Sequence, residues 1–355
     1  MSGRNEYIDI VKGLGILCVY LGHSFYSATM PWRVIFAFHM PLFLIVSGWL
    51  YKPEKEQNFV DMFRRVWRTL MLPYLFFYVV SSLFHVPHSL VLWYRAPVGS
   101  LKRLLHDGAP ALWFLMCLSS IHVLLWGCNK VRRTSFLQER MFWFVLCVGF
   151  CIVAQFVNLF VPMSIRKANV PFMLLSVPCC AFFFAFGAFV RSMSRVLHAK
   201  WGVDRVYVSV YAIVCGVSLY LLLPESGRDV FNLRVAQFDV TMLPICACGV
   251  MAVLLLAYLI VGGKGRVISS MRVPLAYIGC NSLCYFALEF PVAYIWGNVM
   301  ALIGVNGCIE LLYSVSHPHW IGITRVVFVL IGVTLMMPLM AKIIPSKRGL
   351  KVRYV

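Results

Sequence analysis

An acid, a base and a histidine share one face of the first apolar stretch of the chain. Residues 4–24 read RNEYIDIVKGLGILCVYLGHS. A helical turn of about 100° per residue places Asp9, Lys12 and His23 on one stripe of this stretch. Lys12 and His23 lie nearly above one another, about 16 Å apart along the axis. Charged groups in an apolar helix are costly, so the stripe predicts a polar surface or ligand beside it.

Other ionisable residues within apolar stretches are few. His39, Glu289 and Arg325 are joined there by the neutral polar residues Asn281 and Ser282. From a rise of about 1.5 Å per residue, we expect His23, His39, Glu289 and Arg325 to share one layer near the outer side of the predicted helices. A neutral imidazole at this depth can take a proton from a hydroxyl, or accept a group and pass it on.

Most of these residues also have a purely structural interpretation. Asp9 and Lys12, at positions i and i+3, are equally compatible with an ion pair at a helix mouth. His39, two residues before Pro41, can bond a backbone carbonyl that the proline frees. A link between Glu289 and Arg325 can hold two helices together without taking part in chemistry.

The composition excludes a soluble globular protein. Of the 355 residues, 61% are hydrophobic and only 13% are charged, and the mean hydropathy is +0.83, whereas soluble domains are about 45–50% apolar. The alternating pattern of a membrane barrel is absent, so the sequence predicts an all-α, polytopic membrane helical bundle.

Ten membrane-spanning helices are predicted. A net charge of +19 suggests nucleic acid in a soluble protein, but here the basic residues follow the topology: 21 Lys and Arg lie in the loops and tail of one side and 7 in the loops of the other. The excess places both termini in the cytoplasm, without nucleic acid as a partner. We expect a transmembrane domain over 1–345 and a basic cytoplasmic tail over 346–355. The predicted spans are 8–27, 33–51, 69–84, 111–127, 141–161, 171–190, 206–223, 238–261, 274–296 and 321–341.

The cysteines indicate neither a disulfide framework nor a metal site. Of the 13 cysteines, only Cys308 falls in a predicted outer loop, and no Cys-x-x-Cys or Cys-x-x-His set occurs. The basic segment around Arg64, Arg65 and Arg68 has two interpretations. It is either a topology signal that touches anionic lipid or a clamp for phosphate groups.

The sequences of the first two predicted spans indicate a particular protein family, which the composition alone does not. RNEYIDIVKGLGILCVYLGHS and the following FAFHMPLFLIVSGWLY resemble the acyltransferase-3 family of integral membrane acyltransferases, typically bacterial enzymes that O-acetylate cell-surface carbohydrates. The similarity continues in register through FRRVWRTLMLPYL, ALWFLMCL and YIGCNSLCYFALEF. The family's basic residue, ten intervening residues and histidine are matched by Lys12 and His23.

The resemblance implies that the protein takes an acyl group, usually acetyl, from cytoplasmic acyl-CoA. The group is delivered to a hydroxyl of a carbohydrate or glycolipid outside a bacterial inner membrane, with no permanently bound cofactor and among membrane lipids. His23 is then the catalytic histidine. A further hypothesis, which rests on the residues and not on the resemblance, is that Glu289 or Asp9 orients or charges its surroundings. The implied CoA-binding residues are Lys12, Arg64, Arg65 and Arg68, and the implied substrate-binding residues are His39, Trp113, Asn281 and Ser282. Arg325 is added to the substrate-binding residues from its predicted depth in the membrane, not from the resemblance.

Two positions depart from the family pattern. Lys12 stands where the family more often has Arg, which removes bidentate phosphate or carboxylate geometry. Glu289 stands where many relatives have His. The rival interpretation is a transporter or flippase for a small solute or lipid-linked sugar, in which the same charges line a path without acyl chemistry. A sensor or transport subunit that keeps the fold without the reaction is a third.

Overall fold

The computed structural model describes residues 5–25, 29–53, 58–84, 104–105, 112–134, 138–167, 171–197, 205–222, 232–305 and 319–343. Throughout these ranges the regular structure is helical, and no β-strand occurs in them. The predicted all-α bundle is therefore confirmed. The predicted basic tail over 346–355 and Cys308 lie outside the described residues.

Fourteen α-helices make up the described part of the chain, with short 3₁₀ turns between some of them and a π-helical turn, Trp67–Met71, joining α4 to α5. In chain order, α1 to α14 are Glu6–Gly22, Met30–Phe36, His39–Leu50, Phe59–Val66, Leu72–Phe84, Trp113–Thr134, Glu139–Phe160, Met163–Lys167, Val177–Leu197, Arg205–Leu222, Leu243–Gly262, Arg266–Cys280, Ser282–Leu302 and His319–Ile343.

A helix overlaps each of the ten predicted spans, and six described segments are long and apolar enough to cross a membrane. Those six are Met30–Leu50, Trp113–Arg132, Glu139–Phe160, Val240–Gly262, Ser282–Leu302 and Trp320–Lys342. The protein is thus a multi-pass membrane protein. The number of ten spans and the cytoplasmic termini stay predictions.

Two predicted spans are interrupted in the structure. Span 33–51 is divided between α2 and α3 at Ala37 and Phe38. Pro41 has no N–H to bond the Ala37 carbonyl, so the break lies one helical turn before the proline. Span 274–296, predicted as one helix, is divided at Asn281, which has φ −109° and ψ 20°. Asparagine competes for backbone hydrogen bonds with its own side chain, which favours such breaks.

The chain folds into two compact units. The first is formed from Met1–His39, Gly202–Val230 and Thr241–Val355, and the second from Met40–Trp201 and Phe231–Val240. In the first unit α1 packs against α11, α12 and α13, α10 packs against α11, and α13 packs against α14. In the second unit α9 packs against α6 and α7, and α4 packs against α6.

Glycines set the close crossing of α1 and α12 in the first unit. A Cβ on Gly279 would overlap the Asp9 carbonyl, and a Cβ on Gly13 would overlap the Leu275 carbonyl. Small residues let two membrane helices approach to backbone contact, where dispersion forces between them are strongest. The crossing therefore fixes the position of α1, the helix that ends at His23.

Candidate active site around His23

His23 lies at the C-terminal end of α1, where the helix stops. Its backbone N–H still bonds the Val19 carbonyl at 3.0 Å. The imidazole packs beside Phe36 of α2 and Phe290 of α13, with ring centroids 6.2 Å and 5.3 Å away. The side chain keeps 25% of its surface exposed. His23 is thus held by aromatic neighbours and stays open on one side.

Glu289 of α13 contacts the Nδ1 atom of this imidazole. Nδ1 of His23 lies 2.9 Å from Oε1 and 2.8 Å from Oε2 of Glu289, and the glutamate side chain is fully buried. A carboxylate in that setting is costly unless charged and polar groups surround it. The contact brings together two residues that sequence analysis placed in one layer by depth alone.

Arg325 of α14 supplies the positive charge for Glu289. Its Nη2 donates to Oε1 of Glu289 at 3.0 Å, and its Nη1 donates to Oγ of Ser24 at 2.8 Å. Ser24 in turn donates to the Tyr20 carbonyl at 2.6 Å. Arg325 is buried to 3% exposure, so it stands behind Glu289 as its ion-pair partner. The ion pair between Glu289 and Arg325 that was considered from the sequence is therefore present, and His23 contacts the same carboxylate.

The hydrogen bonds assign the tautomer of His23. A guanidinium keeps its charge in proteins, so Glu289 opposite Arg325 is its counter-ion and can only accept hydrogen bonds. Nδ1 of His23 must then carry a proton to donate to it. In the neutral ring Nε2 is left with a lone pair. This arrangement can accept a proton from a hydroxyl, and the carboxylate stabilises the imidazolium that forms.

His39 is the second histidine beside Phe36, with ring centroids 4.6 Å apart. Its Nδ1 donates to the Ile35 carbonyl at 2.9 Å, and the residue is buried to 3% exposure. His39 thus bonds a backbone carbonyl, as the structural interpretation expects, but it is that of Ile35 and not the Ala37 carbonyl that Pro41 leaves without an N–H partner. Because Nδ1 is the donor, Nε2 of neutral His39 is also an acceptor.

Asp9 and Lys12 lie far from His23 along α1. The helix is unbroken from Glu6 to Gly22, so the rise places Asp9 about 21 Å from His23, too far for a direct hydrogen bond. Asp9 is buried at the crossing with α12, and Lys12 is half-buried. Of the two carboxylates proposed to orient His23, the one in contact is Glu289.

Asn281 and Ser282 occupy the break between α12 and α13. The Asn281 side chain donates to the Tyr277 carbonyl at 3.0 Å. The backbone carbonyl of Asn281 accepts from the backbone N–H groups of Cys284 and Tyr285. Ser282 is half-buried and begins α13. Asn281 therefore joins the two helices, and Ser282 lies about two turns before Glu289 on the same helix.

The basic residues Arg64 and Arg65 of α4 and Arg68 of the following π-helical turn belong to the second unit. Arg64 and Arg68 are exposed, Arg65 is half-buried, and Arg64 forms a loose contact of 3.8 Å with Asp61. Two of the three arginines share one surface cavity of about 430 Å³. Its lining residues are Val60, Phe63, Arg64, Trp67, Arg68 and Leu72.

Trp113, the remaining predicted substrate-binding residue, also lies in the second unit. It begins α6, is buried to 8% exposure, and packs edge-on against Phe114 with centroids 6.2 Å apart. Within the described ranges, no cluster of three or more His, Cys, Asp or Glu residues could hold a metal ion.

Sequence reasoning missed Ser24 and Phe36. Ser24 is fully buried and bonds Arg325, while Phe36 lies between the two histidines. The available signal for Ser24 was its position next to His23 and four residues after Tyr20, the spacing at which a serine hydroxyl bonds a helix carbonyl. A single phenylalanine among many carried no such signal.

A protein-family model matches almost the whole chain. The family model described as an acyltransferase domain, Acyl_transf_3, matches residues 5–342. The match includes α1 to α13 in full and α14 except its last residue, and with them His23, Glu289 and Arg325. No significant match was found among curated proteins or among solved structures.

Proposed function

Because the chain belongs to the acyltransferase-3 family of membrane acyltransferases, we propose that it moves an acetyl group from cytoplasmic acyl-CoA to a hydroxyl of a carbohydrate or glycolipid on the other side of a bacterial inner membrane. His23 is the catalytic histidine of this proposal. The observation that carries it is the contact of His23 Nδ1 with the buried carboxylate of Glu289, which leaves Nε2 as a base.

In the direct route, Nε2 of His23 takes the proton of the acceptor hydroxyl as its oxygen attacks the thioester carbonyl. The carbon–sulfur bond breaks, an ester bond forms, and the proton passes from His23 to the CoA sulfur. Glu289 stabilises the positive charge that His23 carries between these steps, and Arg325 keeps Glu289 ionised and in place.

In the covalent route, Nε2 of His23 attacks the thioester carbonyl, the carbon–sulfur bond breaks and CoA leaves as the thiolate. The acceptor hydroxyl then attacks the acetyl group on Nε2, the carbon–nitrogen bond breaks as the ester forms, and the released hydroxyl proton neutralises the thiolate. The same tautomer serves this route, because only an unprotonated Nε2 is a nucleophile. The routes differ in what happens without acceptor: the covalent route releases up to one CoA per protein in a burst, and the direct route releases none.

The surface cavity lined by α4 and the following π-helical turn supports a binding site for the acyl-CoA donor on the side whose predicted loops are rich in Lys and Arg. Arg64 and Arg68 both line it, and guanidinium groups bind phosphate through paired hydrogen bonds. Trp67 and Phe63 in the same cavity offer aromatic surface to the adenine ring of CoA. Lys12, about 16 Å before His23 along α1, is a further candidate for binding the donor.

The test is transfer of radiolabelled acetyl from acetyl-CoA by the purified protein in lipid nanodiscs, together with calorimetric binding of acetyl-CoA. The wild-type protein is expected to bind acetyl-CoA, and His23→Ala to bind it equally but transfer acetyl about 10²–10⁴-fold more slowly. Wild-type protein that does not bind acetyl-CoA, or His23→Ala protein that retains full transfer, contradicts the proposal.

A further inference from the structure

Two stacked rings extend from His23 toward the N-terminal end of α2. Trp32 and Phe36 are one helical turn apart, with ring centroids separated by 4.2 Å and planes inclined by 22°. Phe36 meets the His23 ring edge-on at 6.2 Å and the His39 ring at 4.6 Å. Trp32 is therefore two ring contacts from His23 within the first unit.

The indole of Trp32 is not used up by packing. It is partly exposed, and Phe36 is the only ring that stacks on it in the part of the chain that the structure describes. Its N–H forms no hydrogen bond to any described residue. An exposed indole therefore keeps both aromatic surface and a donor for a ligand.

A pyranose ring fits this combination of groups. One face of the sugar presents C–H bonds, which the electron-rich face of an indole attracts, while hydroxyls project around its rim. Those hydroxyls need donors and acceptors, which the Trp32 N–H and Nε2 of His23 supply. An open-chain alcohol offers the same hydroxyls but no rigid C–H face.

Tryptophans also lie at membrane interfaces simply as anchors. Trp320, at the start of α14 in the same unit, fits that role: it is 48% exposed and forms no ring contact with the described residues. Trp32 differs because the Phe36 ring joins it to the two histidines. Trp320 thus provides a matched control that separates anchoring from binding.

We propose that Trp32 and Phe36 form a platform on which a pyranose ring of the acceptor rests, with one ring hydroxyl directed at His23. The proposal rests on the proposed function and names where its acceptor binds. Trp32 determines specificity for a cyclic sugar, and the stacking of Phe36 holds the indole in place.

The experiment measures acetyl transfer from radiolabelled acetyl-CoA by the full-length protein in nanodiscs. The acceptors are the methyl glycosides of glucose, galactose, mannose and N-acetylglucosamine, with sorbitol as the open-chain comparison. Trp32→Ala is expected to raise the KM for the accepted glycoside about tenfold while the KM for acetyl-CoA is unchanged. Trp32→Phe, which keeps a ring, is expected to lie between the two. Trp320→Ala is expected to match wild type.

The outcomes separate the platform from the reaction. A Trp32→Ala protein with the wild-type glycoside KM overturns the platform, as does an equal rise in Trp320→Ala. Wild-type protein that binds acetyl-CoA but acetylates no glycoside, or that acetylates sorbitol equally well, also overturns it. Failure of the proposed function is distinguishable, because that protein would not bind acetyl-CoA at all. If Trp32→Ala does not fold, the same comparison is made with Trp32→Phe, and an unchanged KM in that variant contradicts the platform.

Discussion

Nδ1 of His23 lies 2.8 Å from Oε2 of Glu289, although the two residues are 266 positions apart in the chain. The contact joins the end of the first helix to the middle of the thirteenth. It makes the protonation state of one residue depend on the charge of the other, and it is the basis of the first two predictions.

Glu289→Gln is expected to lower kcat about 10²–10⁴-fold and to leave the KM for acetyl-CoA nearly unchanged. The amide is neutral and can donate to Nδ1, which favours the tautomer with a proton on Nε2 and removes the base. Steady-state kinetics in nanodiscs measure both constants. A kcat within twofold of wild type would show that the carboxylate does not set the tautomer.

Ser24→Ala is expected to lower kcat about tenfold without changing the KM for acetyl-CoA, because the Nη1 donor of Arg325 loses a buried acceptor. Ser119→Ala is the matched control: its hydroxyl makes the same bond to a carbonyl four residues earlier, at 2.8 Å, and is buried as well. Equal kcat losses in both variants would mean that Ser24 acts only on helix stability.

Arg64→Gln combined with Arg68→Gln is expected to raise the dissociation constant of acetyl-CoA about tenfold or more, since each removes a charged donor from the cavity. The difference from wild type is expected to shrink at high salt. Arg140, an exposed residue at the start of α7 that the topology predicts on the same side, provides the control for net charge as Arg140→Gln. A matching loss in that variant would point to non-specific attraction.

Gly279→Ala is expected to destabilise the protein by about 1–3 kcal/mol, because the new Cβ overlaps the Asp9 backbone at the α1–α12 crossing. Gly149→Ala is the control, because a Cβ there meets nothing within 4 Å, and a helical alanine is favoured by up to about 1 kcal/mol. Thermal unfolding in detergent compares the two. Equal melting temperatures would show that the crossing can relax.

An ion pair at the start of α1 is expected to make stability depend on pH. Arg272 donates from Nε and Nη2 to the Glu6 carboxylate at 2.6 and 2.5 Å. Both residues lie just before predicted spans, at 8–27 and 274–296. The hydrogen bond from Arg272 lowers the pKa of Glu6 from 4.5, outweighing burial, which raises it.

A lowered pKa in the folded state means that the stabilisation is complete above pH 4.5 and is lost as the pH falls below it. Wild type is therefore expected to melt at a higher temperature than Glu6→Gln at pH 7, and the gap is expected to close at acid pH. A gap that persists unchanged at pH 3 would contradict the assignment.

The helical bundle was predictable because a membrane-spanning helix must be long and apolar, and hydropathy averages detect that. The same averaging concealed the break at Asn281, since one polar residue scarcely lowers a window of apolar neighbours. Depth arithmetic placed His23, Glu289 and Arg325 in one layer, because the rise per residue is fixed. It could not show that Arg325 stands behind Glu289, because depth contains no information about which helices are neighbours.

The roles of Asp9 and Arg325 illustrate the same limit in opposite directions. Asp9 shares a stripe with His23, yet the length of α1 keeps them about 21 Å apart. Arg325 stays a predicted substrate-binding residue, and the structure adds that it is buried to 3% exposure and bonds Glu289 and Ser24. Long-range helix contacts decide both cases, and a single sequence does not specify them.

The positions of His23, Glu289 and Arg325 in the chain also bear on how the protein is made. Glu289 and Arg325 lie on α13 and α14, the last two helices of the described residues, 36 residues apart, whereas His23 lies at the end of α1. Synthesis proceeds from the N-terminus, so His23 enters the membrane long before its carboxylate exists. Glu289 and Arg325 can enter the membrane as an ion pair without net charge, and the Glu289 carboxylate can then contact His23. The cluster of His23, Glu289 and Arg325 can therefore form only after Arg325 has been synthesised, and a chain that stops before Glu289 contains His23 without these partners.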